Sequence, residues 1–96
     1  MKKAKYTVKY TAQFKKDYKL AIKRGLKIAL LDEIITLLAL GEVLPDKNRD
    51  HALSGDWVNH RECHVLPDWL LIYRVEDAVL VLTQTRTGTH SDLLGK

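Results

Sequence analysis

The order of patterns along the chain predicts an α+β domain, β-α-α-β-β-β, with two helices packed on one face of a mainly antiparallel sheet. Three observations predict it. Alternating residues near the N-terminus read as a strand, two stretches of helical periodicity follow, and three apolar runs separated by tight turns close the chain.

In the first of these, Tyr6, Val8 and Tyr10 fall on one face and Lys5, Thr7 and Lys9 on the other, so a strand is expected over residues 5–10. Thr11 then offers an N-cap oxygen to a helix in which Phe14, Tyr18 and Ala21 or Ile22 recur at helical spacing. Lys15, Lys16, Lys19, Lys23 and Arg24 fall mainly on its other sides, and Gly25 supplies a C-terminal stop. A second helix is expected over about residues 27–40, ending at Gly41. Its apolar residues cover more than one stripe, so one face packs on the sheet and the surplus either joins the core or awaits a partner. Residues 42–56 are polar with scattered Leu and read as a loop with room for one short helical turn. Strands are expected over 58–65, 69–75 and 79–87, with Pro67-Asp68 and Glu76-Asp77 in the turns. Strands joined this tightly must be antiparallel. Helices on one sheet face leave the other open for a site.

A chain of 96 residues has room for one core, so a single domain spanning residues 1–96 is expected. Hydrophobic residues at 46% and charged residues at 29% argue against both disorder and membrane embedding. The most apolar stretch, 26–40, carries Lys27, Asp32 and Glu33 and is too short to cross a bilayer. The N-terminal lysines have no apolar run behind them, so no secretory signal is expected. One cysteine, Cys63, has no internal disulfide partner, which fits the cytoplasm. The charge is strongly asymmetric. The first 27 residues hold ten basic residues against one acid, a net +9, and the remainder holds six against eleven, a net −5. A basic third on a chain with a pI near 9.3 is the footprint of a phosphate-backbone binder, although many solvated helix faces share it.

The four histidines are His51, His60, His64 and His90. His60 and His64, four apart on a strand, are separated by about 13 Å and cannot share one ion; no HExxH or paired cysteines occur, so no metal and no cofactor are expected, a ligand set assembled across strands being the alternative left open. Cys63 has the opposite strand parity to His64, so it reads as a small core residue and not a nucleophile. No Gly-rich phosphate loop is present. What remains is His51 in the loop, His64 near the end of the first meander strand with Asp68 and Trp69 beyond it, and Arg86 and His90 at the end of the last strand. In a meander the ends of the first and third strands share an edge, so these residues can converge. The set suits RNA cleavage through the ribose 2′-hydroxyl, which needs a base, an acid and a cation near the phosphate. Each residue also has a plainer reading: solvated loop histidines, an ion-pairing Arg86, and Trp69 as core.

The segments RDHALSG (49–55), RECHVLPDWLLIYRVED (61–77) and RTGTHSDLLGK (86–96) resemble YafQ-type toxins of the RelE superfamily, and YTAQFKKDYKLAIKRG (10–25) is similar to that family's first helix. The resemblance spans nearly the whole chain. It implies a RelE-like fold, ribosome-dependent endonuclease activity on mRNA at the 70S ribosome, and inhibition by a cognate antitoxin of the DinJ type. The histidine of DHxLxG falls on His51, that of HxxPDW on His64, the family's acid and tryptophan on Asp68 and Trp69, and the histidine of RTGTH on His90. The arginine of that last motif falls on Arg86, assigned to phosphate contact. His90 is expected to be the general acid and His51 or His64 the base, with Asp68 holding a histidine in its working tautomer. Lys15, Lys16, Lys19, Lys23 and Arg24 are expected to contact ribosomal RNA. Leu94 stands where relatives can carry an aromatic, which bears on substrate preference, and His60 reads as a strand or rim residue.

Two other readings compete. A non-catalytic nucleic-acid-binding module would keep the basic helix and need no histidines. A ParE-like toxin of the same fold would target gyrase. The joint presence of His51, His64, Asp68 and His90 argues against both, because neither needs an acid–base pair.

Overall fold

A computed structural model describes residues 4–87. Its elements are β1 (Thr7–Tyr10), α1 (Ala12–Lys23), α2 (Ile28–Ala39), β2 (His51–Ala52), β3 (Arg61–Leu66), β4 (Trp69–Glu76) and β5 (Val79–Thr87). Single 3₁₀ turns occupy Asp46–Asn48 and Gly55–Trp57.

Local chemistry accounts for both helices. The Thr11 hydroxyl accepts the Phe14 N–H at 3.1 Å, as an N-cap should. At the other end, Gly25 takes φ +78° and Leu26 N–H closes onto the Ala21 carbonyl at 3.0 Å, satisfying carbonyls the helix leaves open. Gly41 repeats the device after α2 at φ +76°, and a side chain there would also meet Lys5. In α2, Leu31, Ile34, Ile35 and Leu38 form the stripe that packs on the sheet. The apolar surplus, Ile28, Leu30 and Leu37, is partly buried against the same core, so most of it is core.

The five strands form one sheet in the order β1-β5-β4-β3-β2. Only β1 runs parallel to its neighbour β5; the remaining pairs are antiparallel. Thr11 fixes the start of α1 to β5 by donating to the Thr83 carbonyl, and the Asp17 carboxylate accepts the Thr85 N–H at 3.0 Å. Cys63, Trp69, Leu71, Tyr73, Leu80 and Leu82 join Phe14, Leu31 and Ile34 in the core beneath the helices. Leu70 and Ile72, alternating with these, occupy the opposite face.

Two details differ from the expected pattern. The first meander strand starts at Arg61, not residue 58, because the Gly55–Trp57 turn runs into a left-handed Asn59 at φ +70°, a conformation asparagine tolerates. A fifth strand, β2, pairs His51 with Glu62 and Ala52 with Arg61. Two residues carry no periodicity, so the strand exists only through its partner.

Candidate active site

The register of the sheet builds the site. His64 pairs with Leu70, and Leu70 with Arg86. In the next row, His51 pairs with Glu62, Glu62 with Ile72 and Ile72 with Gln84. Directly paired residues point to one face, so both rows lie on the face away from the helices. The sheet thus brings His64 and Arg86 to one line, two strands or about 10 Å apart. It also adds His51 from the loop.

His51 and His64 face each other with ring centroids 6.4 Å apart. The loop fixes His51 through its Nδ1, which lies 2.7 Å from the Arg49 carbonyl and can only donate there. Its Nε2 lies 3.4 Å from the Glu62 carboxylate. With Nδ1 carrying the proton, Nε2 holds the free lone pair, on the side of the ring that faces the Glu62 carboxylate. Arg86 holds its guanidinium carbon 5.4 Å from the centre of the Trp57 ring, a cation–π contact that aims a long side chain. Trp57 in turn meets His60 edge-on at 5.2 Å.

Behind His51 stands a clamp on the neighbouring residue. The Tyr73 hydroxyl donates to Asp50 at 2.5 Å, and the Arg61 guanidinium reaches both Asp50 oxygens at 3.3 Å. Burial, and then the Asp50 carboxylate, push the Tyr73 hydroxyl above the usual tyrosine range. The hydrogen bond to Asp50 raises Arg61 as well. These groups hold β2 in place where two paired residues alone would be a weak anchor.

The expected site residues fare differently. Trp69 is a correction: it is 1% exposed, packs in the core under the helices, and cannot stack on a base. Its parity with Leu71 and Tyr73 puts it on the helix side, and the accessible tryptophan beside the site is Trp57. Asp68 lies exposed in the β3–β4 turn, and what steadies His51 is Glu62 and the Arg49 carbonyl in its place. His90 and Leu94 lie outside the described residues. On α1, Lys15, Lys16, Lys19 and Lys23 are exposed and share a broad face, while Arg24 turns toward β5 and donates to the Thr87 hydroxyl at 2.8 Å. Cys63 is fully buried and its thiol is pushed up to about 12, chiefly by burial, so it offers no thiolate at neutral pH. His60 sits at the rim, its Nδ1 3.1 Å from the Val58 carbonyl. Among the described residues, no three His, Cys, Asp or Glu side chains gather as a metal site would need.

Glu62, Trp57 and the Arg49 carbonyl gave no functional signal in the sequence. The parity of Glu62 with His64 on one strand was the only available hint, and it needed β2 to give it meaning.

Comparison with known proteins agrees with this architecture. The family described as bacterial toxin of type II toxin–antitoxin system, YafQ, matches residues 6–95. The mRNA interferase toxin YafQ of Escherichia coli K12 is 43% identical over 89 residues, covering 92% of this chain and 95% of that one. The crystal structure of YafQ from E. coli BL21(DE3) superposes with a TM-score of 0.85 at 38% identity, over 94% of this chain and 99% of the other. A toxin chain in the E. coli DinJ–YafQ toxin–antitoxin complex gives 0.84 at 39% identity, over 95% and 99%. Sequence and fold converge on one assignment, and this chain belongs to the YafQ family of type II toxin–antitoxin toxins.

Proposed function

We propose that this chain is an mRNA-cleaving toxin that uses the His51–His64 face for acid–base attack on the RNA backbone. The observation that carries the reading is the facing histidine pair on the sheet face away from the helices, with His64 in one row with Arg86. His51 Nε2 takes the proton of a ribose 2′-hydroxyl, whose oxygen attacks the adjacent phosphorus. The bond to the 5′-oxygen breaks, leaving a cyclic phosphate and a 5′-hydroxyl. His90 supplies the proton to the departing oxygen. Arg86, steadied on Trp57, holds the non-bridging phosphate oxygens as charge accumulates there. His64 lies against the same phosphate, and Glu62 balances the imidazolium that His51 becomes. Asp68, at the turn after His64, steadies a second histidine. The steps need no metal or cofactor.

The message is cut on the ribosome, with Lys15, Lys16, Lys19 and Lys23 facing ribosomal RNA phosphates and Arg24 at the edge of that face. The protein acts in the cytoplasm; among its described residues no helix is long and apolar enough to cross a membrane. Its activity is silenced by a DinJ-like antitoxin, drawn to the basic N-terminal third by an acidic segment that orders on docking. Primer extension on a translated message tests the reading. Induced protein should produce new ends within the reading frame, and His51→Ala and His64→Ala should abolish them. An intact message beside damaged DNA would point to gyrase instead.

A further inference from the structure

Beside the histidine pair, the chain from Asp46 to Arg49 stands away from the β3–β4 turn and leaves an open cleft of about 500 Å³. Leu30, Leu66 and Pro67 form apolar walls, Lys47 and Arg49 bring two cations, and His64 stands at the side nearest the catalytic face. No acidic side chain lines it among the described residues. The volume falls within the roughly 300–1,000 Å³ of small-ligand clefts.

The cleft is built and held. Asn48 is 6% exposed, and its side-chain amide donates to the His64 carbonyl at 2.7 Å, tying the loop to β3. Arg49 then takes the left-handed conformation at φ 44°, ψ 47°, sparsely populated for a residue with a Cβ and maintained only where surroundings impose it. That conformation serves two ends at once: the Arg49 carbonyl orients His51, while the residue itself lines the cleft. Catalytic base and cleft are therefore positioned by one residue.

Two cations beside apolar walls, next to a residue that meets the scissile phosphate, match the chemistry of a nucleotide. We infer that the cleft seats one nucleotide of the message flanking the cut, with its phosphate on Lys47 and Arg49 and its base against Leu30, Leu66 and Pro67. The cleft then helps to select where cleavage falls. The inference rests on the ribonuclease reading of the histidine pair.

Cut sites and initial rates on one translated message, compared for the parent protein, Lys47→Gln/Arg49→Gln, Leu66→Trp and His51→Ala, test it. Removing two phosphate contacts should slow cutting about tenfold or more while thermal unfolding stays unchanged, since charge-assisted contacts are the stronger ones. Leu66 is 41% exposed, so tryptophan there fills the cleft without entering the core, and it should redistribute the cut sites. Should Leu66→Trp fail to fold, the Lys47/Arg49 pair decides alone. Parental rates and cut sites in the cleft variants, with His51→Ala inactive, overturn the subsite and leave the ribonuclease reading standing. Unchanged cutting by His51→Ala overturns both.

Discussion

Replacing Tyr73 by phenylalanine removes one oxygen from the base of the site and leaves the core packing nearly intact. The lost bond is a hydroxyl donating to the Asp50 carboxylate at 2.5 Å. A hydrogen bond to a charged group contributes about 1.5–3 kcal/mol. The Asp50 side chain keeps 27% of its surface accessible, so water partly replaces the lost donor and the lower end, about 1.5 kcal/mol, applies. The remaining Arg61 contacts at 3.3 Å form a partly exposed pair worth about 0–1 kcal/mol and cannot compensate. For a domain of this size the loss lowers Tm by about 6–12 °C. Asp50 precedes His51 in the chain, and β2 has only two paired residues, so the imidazole should also lose its placement. Misplacement of a catalytic group by about 1 Å can cost on the order of a hundredfold. Circular dichroism melts and message cleavage at 25 °C, where the variant remains folded, measure the two effects. A Tm within 2 °C of the parent, or cleavage at the parental rate, would refute the clamp.

Four further outcomes are expected. Glu62→Gln removes the carboxylate charge 3.4 Å from His51 Nε2, so cleavage should slow by about tenfold, against little change in unfolding; cleavage at the parental rate removes Glu62 from the mechanism. Lys15→Gln/Lys16→Gln/Lys19→Gln should weaken ribosome binding and flatten the slope of log affinity against log salt by roughly two to three, as three phosphate contacts predict; an unchanged slope means that the face is merely solvated. Cys63 should resist iodoacetamide at pH 8 in the folded protein and react once unfolded. Because its folded thiol ionises only near 12 while the unfolded one ionises from about 8.5, stability should fall as pH rises between those values, and Cys63→Ala should fall less. Cleavage on Mg²⁺-preserved ribosomes should survive a chelator selective for zinc; its loss would overturn the metal-free chemistry.

The fold was legible where periodicity is strong. Thr11, Gly25 and Gly41 mark helix ends through side-chain and backbone preferences that act locally, and the structure uses each of them as caps or stops. Two-residue turns made the meander antiparallel by geometry alone. The parallel pairing of β1 with β5 is a contact between residues some seventy apart, which no local pattern encodes. The site was legible to the extent that strand ends converge in a meander, which places His64 and Arg86 in one row. Trp69 misled because a tryptophan beside a turn reads equally well as wall or as surface until the strand's parity is fixed. Glu62 and Trp57 were silent for the opposite reason: their roles arise from contacts with β2 and β5, not from their own neighbours in the chain.

The placement of β5 has a consequence for synthesis. The strand made last among the described elements lies between β1 and β4, and it also receives Thr11 and Asp17 from the start of α1. Contacts this distant in sequence make folding slow, because loop closure must precede the reward. A nascent chain stopped before residue 79 has an N-terminal strand with nothing to pair with and a β4 edge open along its length, the kind of edge that invites aggregation. Arg86, too, is absent from such a chain. At about 5–20 residues per second, translation delays closure of the sheet until β5, the last of the described strands, has been made. A chain that stops short of β5 cannot close the sheet that sets His64 in one row with Arg86.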